Sequence, residues 1–178
     1  GGLMSLRDKD IPYIEIASMD DLKEAFTWCM ESDEAKQFET IALDSLSEVA
    51  EVVLATEKAA SKDPRQAYSA LMDQMAQIVR GFRDLPKHIY MSAKVEKVQD
   101  DMGKLLYGPS MPGAKLGQSL PYFFDEVYAL RVEKDEEGKT MRMLQCDGDG
   151  VWSAKSRSGS VEQWSEPDLG EIIKKILA

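Results

Sequence analysis

A chain of 178 residues is long enough for one domain with a substantial core, and its 43% hydrophobic and 30% charged residues are those of an ordinary folded protein. The net charge of −10 excludes nucleic-acid binding through overall charge, so any such contact needs a local basic patch. No apolar run approaches the roughly 20 residues of a membrane span, and no membrane partner is expected. The Gly1-Gly2-Leu3-Met4 start does not read as a secretory signal. Cys29 and Cys146 belong to no CxxC pair, so free thiols in a cytosolic compartment are expected. His88 is the only histidine, which leaves zinc chemistry unsupported.

In chain order, residues 11–16 read as a short strand with Pro12 near its start. Ser18 and Asp21 form a capping box for a helix over 19–31, with Leu22, Ala25, Phe26 and Cys29 on one face. A strand over 40–44 leads into a helix over 46–60, where Leu46, Val49, Ala50, Val53 and Leu54 make one stripe. Asp63 as N-cap and Pro64 at the first helical position start a third helix, with Leu71, Met75, Ile78, Val79 and Phe82 facing a core. A strand over 87–93 follows. Residues 94–121 change character: lysines, glycines and prolines with little periodicity predict a long loop. Strands over 124–132 and 140–146, joined by an acidic turn, precede another turn at 147–150, a strand over 151–156 and a helix from Pro167 to Leu177. Alternation in the first half predicts an α/β fold with a mostly parallel sheet flanked by helices; the second half adds antiparallel strands.

The stretch Thr40-Ile41-Ala42-Leu43-Asp44-Ser45 carries the first chemical signal. In open α/β sheets ligands sit outside the carboxyl ends of strands, and an aspartate there suits Mg²⁺ held through water. This is the Walker B arrangement of P-loop NTPases. Its usual companion, G-x-x-x-x-G-K-[ST], is not found. Gly138-Lys139-Thr140 comes nearest, but Glu133 stands where the first glycine should be, and three acids (135–137) adjoin it. It reads as a hairpin turn.

Six segments, in order, resemble phage RecA-like nucleotide-binding proteins, the AAA-type ATPases that include the Sak group of single-strand annealing proteins. They are Gly1-Gly2-Leu3-Met4-Ser5-Leu6-Arg7-Asp8-Lys9, Asp44-Ser45-Leu46-Ser47-Glu48, and Lys62-Asp63-Pro64-Arg65-Gln66-Ala67-Tyr68. The others are Gly103-Lys104-Leu105-Leu106-Tyr107-Gly108-Pro109-Ser110-Met111-Pro112-Gly113, Leu120-Pro121-Tyr122-Phe123-Phe124-Asp125-Glu126-Val127 and Ala154-Lys155-Ser156-Arg157-Ser158-Gly159.

The resemblance implies a single RecA-like P-loop NTPase domain over 1–178. It also implies that a strand, the Walker A loop, its helix and a second strand stand before the first residue of this chain. Two expectations compete: the chain is a portion of a longer ATPase, or a natural short product without the phosphate loop. In the second case it is a non-catalytic interaction or assembly module. Lacking two central strands, the 178-residue chain alone should aggregate, oligomerise or need a partner.

By the same resemblance, Asp44 holds Mg²⁺ through water, with Ser45 beside it at the nucleotide and ATP as cofactor; Ser45 and Glu48 also read as a structural capping box. Lys94 takes the place of a γ-phosphate sensor. Lys155 and Arg157 resemble a K-x-R element that reaches into a neighbouring subunit's ATP site; the bland alternative is a solvated basic edge. Lys97, Lys104, Tyr107 and Lys115, within the loop 94–118, take the place of a contact to single-stranded DNA, by phosphate pairing and base stacking. Tyr122, Phe123 and Phe124 read as core or an intersubunit patch. The implied partners are further copies of the chain, single-stranded DNA, and a phage or host single-strand binding protein, in the host bacterial cytoplasm.

Overall fold

The computed structural model describes residues 8–100 and 102–178; Gly1–Arg7 of the first resembling segment, and Asp101, lie outside them. The elements are α1 (Met19–Glu31), β1 (Thr40–Leu43), α2 (Leu46–Ala60), α3 (Pro64–Arg83), β2 (His88–Met91), β3 (Val95–Gln99), β4 (Leu105–Pro109), α4 (Ala114–Ser119), β5 (Glu126–Val127), β6 (Ala129–Lys134), β7 (Thr140–Gln145), β8 (Lys155–Ser156), β9 (Trp164–Ser165) and α5 (Leu169–Leu177). The fold is α/β, as the RecA-like reading requires.

The first half follows its sequence signals closely. Ser18 accepts from the Asp21 N–H, and Asp21 accepts in return from the Ser18 N–H, so the capping box of α1 is complete. Asp63 caps α3 with Pro64 at its start. The apolar stripes of α1, α2 and α3 converge on one core that holds Leu22, Leu46, Val53, Leu71, Met75 and Val79. Phe26 meets Phe82 edge-on at 5.0 Å. Onto this core packs the parallel pair β1–β2, registered from Thr40 opposite His88 to Leu43 opposite Met91. The crossover between these strands consists of two helices, as a parallel connection demands.

Several expectations need correction. Residues 11–16 form no strand: Ile11, Tyr13 and Ile14 are exposed, and no strand among the described residues takes up their backbone groups. The predicted loop 94–118 is largely regular: β3 and β4 form an antiparallel hairpin, and α4 follows. Its turn is built by Asp100, whose carboxylate accepts from the Met102 and Lys104 N–H groups, and by Gly103 at φ 83°. Most side chains on β3 are exposed, so it shows none of the apolar alternation by which strands are recognised. Finally, the single strand over 124–132 divides at Tyr128. Glu126–Val127 pair with β8 and Ala129–Lys134 pair with β7, all antiparallel.

The strand over 151–156 contracts to Lys155–Ser156 because the backbone before it is used elsewhere. Asp149 accepts from the Val151 and Trp152 N–H groups, while Val151 and Ser153 bond to Tyr107 on β4. The second half has its own small core of Leu144, Cys146 and Ile172, with β9 added to the sheet β6–β7–β9. Gly138-Lys139-Thr140 sits in the β6–β7 hairpin turn, as expected, with the Asp135 carboxylate accepting from the Glu137 and Lys139 N–H groups. Cys29 and Cys146 are both free and buried. Among the described residues no helix is long and apolar enough to cross a membrane.

Candidate functional site

The carboxyl ends of β1 and β2 lie side by side, and this is where the sequence places its chemistry. Asp44 is exposed at the end of β1, and its carboxylate accepts from the Ser92 hydroxyl at the end of β2. The two strand ends are further joined by Ser92 N–H to Leu43 C=O at 3.1 Å and Leu46 N–H to Ser92 C=O at 2.8 Å. The peptide bond between Asp44 and Ser45 is cis. Ser45 caps α2, accepting from the Glu48 N–H at 3.4 Å. The return arm of the expected capping box is missing, because the Glu48 carboxylate pairs with Lys94 instead. That hydrogen bond holds the Lys94 ammonium above its ordinary pKa. Burial, and then the nearby Asp44 charge, push the Tyr90 hydroxyl up.

Beneath this surface, Ser47 is only 4% exposed and binds both roots of the β3–β4 hairpin. Its hydroxyl donates to Ser110 C=O at 2.8 Å and accepts from Lys94 N–H at 2.9 Å. Ser110 N–H donates to Lys94 C=O at 2.7 Å, closing the hairpin at its base. Sequence reasoning missed Ser47, because a serine in the first turn of a helix resembles any other solvated polar residue.

The donor set at Asp44 fits a hydrated Mg²⁺. Among the described residues no three His, Cys, Asp or Glu side chains could enclose a metal. A lone carboxylate with a hydroxyl beside it is how Mg²⁺ is held when waters and substrate phosphates supply the other ligands.

Lys155 and Arg157 meet around Tyr122, on β8 and just after it. The Lys155 ammonium lies 5.7 Å from the Tyr122 ring centroid, and Arg157 donates to Tyr122 C=O at 3.4 Å and to the Asp125 carboxylate at 3.1 Å. Burial, and then the Arg157 charge, lower the Lys155 pKa. An open pocket of about 220 Å³, lined by Gln118, Pro121, Tyr122, Ser153, Ala154 and Lys155, adjoins them. Tyr122 is 76% exposed, whereas Phe123 and Phe124 pack against the main core.

The residues expected to contact DNA divide. Lys97 and Tyr107 face each other across β3–β4, and Lys104 stands at the far end beside Gly150. Lys115 lies on α4, in a different groove with Tyr68, Met72 and Pro112. α4 presses against β4 so closely that a Cβ on Gly117 would sit 2.7 Å from Pro109 C=O. One face of the Tyr107 ring is already taken. It stacks on Trp152 at 4.2 Å and 7°, the Arg131 guanidinium lies 4.2 Å from the Trp152 ring, and Trp164 lies beyond the guanidinium at 5.5 Å. Arg131 also donates to Gln145 at 2.7 Å and Glu133 at 2.6 Å. This ladder was not foreseen; its sequence signal is an arginine flanked by exposed apolar residues on a strand, in a chain with only three tryptophans.

No curated protein and no solved structure matches the chain. A profile of the AAA domain family matches residues 1–158, which takes in the parallel pair, Asp44, the hairpin and the Lys155–Arg157 face. Nucleotide binding with Mg²⁺ is the general property of that family. The chain belongs to the AAA domain family of P-loop-type ATPases.

Proposed function

We propose that this chain is the Walker B part of an ATP-dependent phage protein for DNA recombination or single-strand annealing, working as an oligomer on single-stranded DNA. The observation that carries the reading is the Asp44 carboxylate, exposed at the carboxyl end of a parallel strand pair and hydrogen-bonded to Ser92. Bound Mg²⁺ supplies charge neutralisation across the nucleotide phosphates. Asp44 would hold the metal through its waters, with Ser92 fixing the carboxylate's orientation, and Ser45 stands at the N-terminus of α2, where anions are favoured. Lys94, paired with Glu48, stands three residues past β2 at this end of the sheet. Lys155 and Arg157 place two positive charges on an accessible face suited to a neighbour's phosphates. Lys97, Lys104 and Tyr107 offer the hairpin to single-stranded DNA, with Lys115 in a second contact. A phage or host single-strand binding protein is the fitting further partner.

A second reading is a non-catalytic assembly module on the same scaffold, in which Gly138-Lys139-Thr140 serves only as the β6–β7 hairpin turn. Calorimetric titration of ATP onto the full-length protein separates the two. The first reading expects Mg²⁺-dependent binding, weakened about 10–100-fold in Asp44→Asn. Absence of nucleotide binding by the full-length protein overturns it and leaves the second.

A further inference from the structure

β6 is an edge strand of the sheet β6–β7–β9. Asp135 N–H donates to Lys139 C=O at 3.0 Å, which sets the phase of the ladder. Ala129, Arg131 and Glu133 turn their backbone groups toward β7, and Leu130, Val132 and Lys134 turn theirs outward. Among the described residues no hydrogen bond reaches those outward groups. The side chains there are apolar and open: Leu130 is 57% and Val132 62% exposed. No proline interrupts Ala-Leu-Arg-Val-Glu-Lys, so one device against edge pairing is missing, and the charges the strand does carry, Arg131, Glu133 and Lys134, are of both signs.

We propose that this edge binds a second copy of the chain, strand β6 pairing antiparallel with its own copy about a two-fold axis through Val132. The sequence of the strand is self-complementary in that register. Val132 faces the second Val132, and Arg131 faces Glu133 in both directions. Leu130 lies against the aliphatic stem of Lys134. The outward groups of Leu130, Val132 and Lys134 then become the hydrogen-bonded pairs, and Arg131–Glu133 the closely spaced pairs in which opposite charges attract. Moving the axis one residue either way sets Arg131 against Arg131 or Glu133 against Glu133, so charge selects the register. The contact is isologous and closes at two copies. It uses neither Asp44 nor the Lys155–Arg157 face, and stands independently of nucleotide.

The test uses the whole chain. Sedimentation velocity at tens of micromolar is expected to show a dimer, and Val132→Pro a monomer with unchanged circular dichroism, because the lost N–H points away from β7. Val132→Cys is expected to cross-link into a covalent dimer in oxidised glutathione. Facing residues in a hydrogen-bonded pair stand about 5.5 Å apart, within disulfide reach, and the native cysteines are buried. Leu130→Cys should not cross-link, since the two copies of residue 130 lie about 13 Å apart in this register. A wild-type chain that stays monomeric overturns the proposal and leaves the edge to a strand of another protein. Equal cross-linking of both cysteine variants, or a Val132→Pro dimer as tight as wild type, overturns it too. Should Val132→Pro fail to fold, the cysteine pair decides.

Discussion

The two halves of this molecule are held together by different physics. The first half is three amphipathic helices and a parallel strand pair around one continuous apolar core, in which Leu71, Met75 and Val79 are fully buried. The second half is short antiparallel strands whose apolar centre is small. Much of its cohesion passes through a ladder of Tyr107, Trp152, Arg131 and Trp164, and through carboxylates that collect hydrogen bonds. An apolar core tolerates a substitution in proportion to the volume removed. A polar ladder fails at one residue, because the groups left behind are unpaired.

That contrast can be broken most severely in the first half. Leu71→Ala is expected to cost about 2–5 kcal/mol in urea unfolding, as complete burial of a leucine implies. A loss well under that range would mean the core is loosely packed and the contrast is wrong. In the second half, Arg131→Met keeps most of the side-chain volume but leaves the buried Gln145 oxygen without its donor. The expected cost is about 1–3 kcal/mol. In a Trp28→Phe background the emission of Trp152 and Trp164 should shift to the red with it. Arg131→Lys should restore little, since an ammonium cannot stack between two rings while reaching two acceptors.

The smallest effect concerns pH. Burial raises the Glu126 carboxyl, but hydrogen bonds from the Ser158 N–H and from the hydroxyls of Tyr128, Ser156 and Ser158 outweigh it, so its pKa lies below the ordinary 4.5. A depressed carboxyl stabilises the fold above the unfolded value and loses that contribution as pH falls through the folded one. Thermal melts of wild type and Glu126→Gln should therefore differ by under about 1 kcal/mol at neutral pH and converge in acid below 4.5. Parallel curves across that range would remove Glu126 from the account.

How much of this was legible follows the same division. The helices other than α4 announced themselves by apolar spacing and caps, and Asp44 by its place after an apolar strand. The hairpin β3–β4 did not, because its side chains are mostly exposed and only the Asp100–Gly103 turn marked it. Strands of two residues, such as β5 and β8, are too short for any alternation. The Ser92 hydroxyl on Asp44 joins residues 48 positions apart, and the Arg131 ladder joins β4 to β9; local pattern marks the arginine at most, never its partners. The Lys94–Glu48 pair shows the converse. Each residue was noticed, one as a sensor and one as a cap, and only the fold shows that they satisfy each other.

Ser47 gives the site a mechanical property. Its single hydroxyl grips Lys94 and Ser110, the two ends of the hairpin, while its backbone belongs to the first turn of α2, three residues beyond Asp44. Tilting the hairpin away would strand a buried hydroxyl and an amide, at about 1–3 kcal/mol. For any load below that threshold, the cheaper response is for the turn carrying Ser45 to move with it. A pull on the hairpin, from whatever it holds, is thus geared through one oxygen atom to the carboxylate at the end of β1.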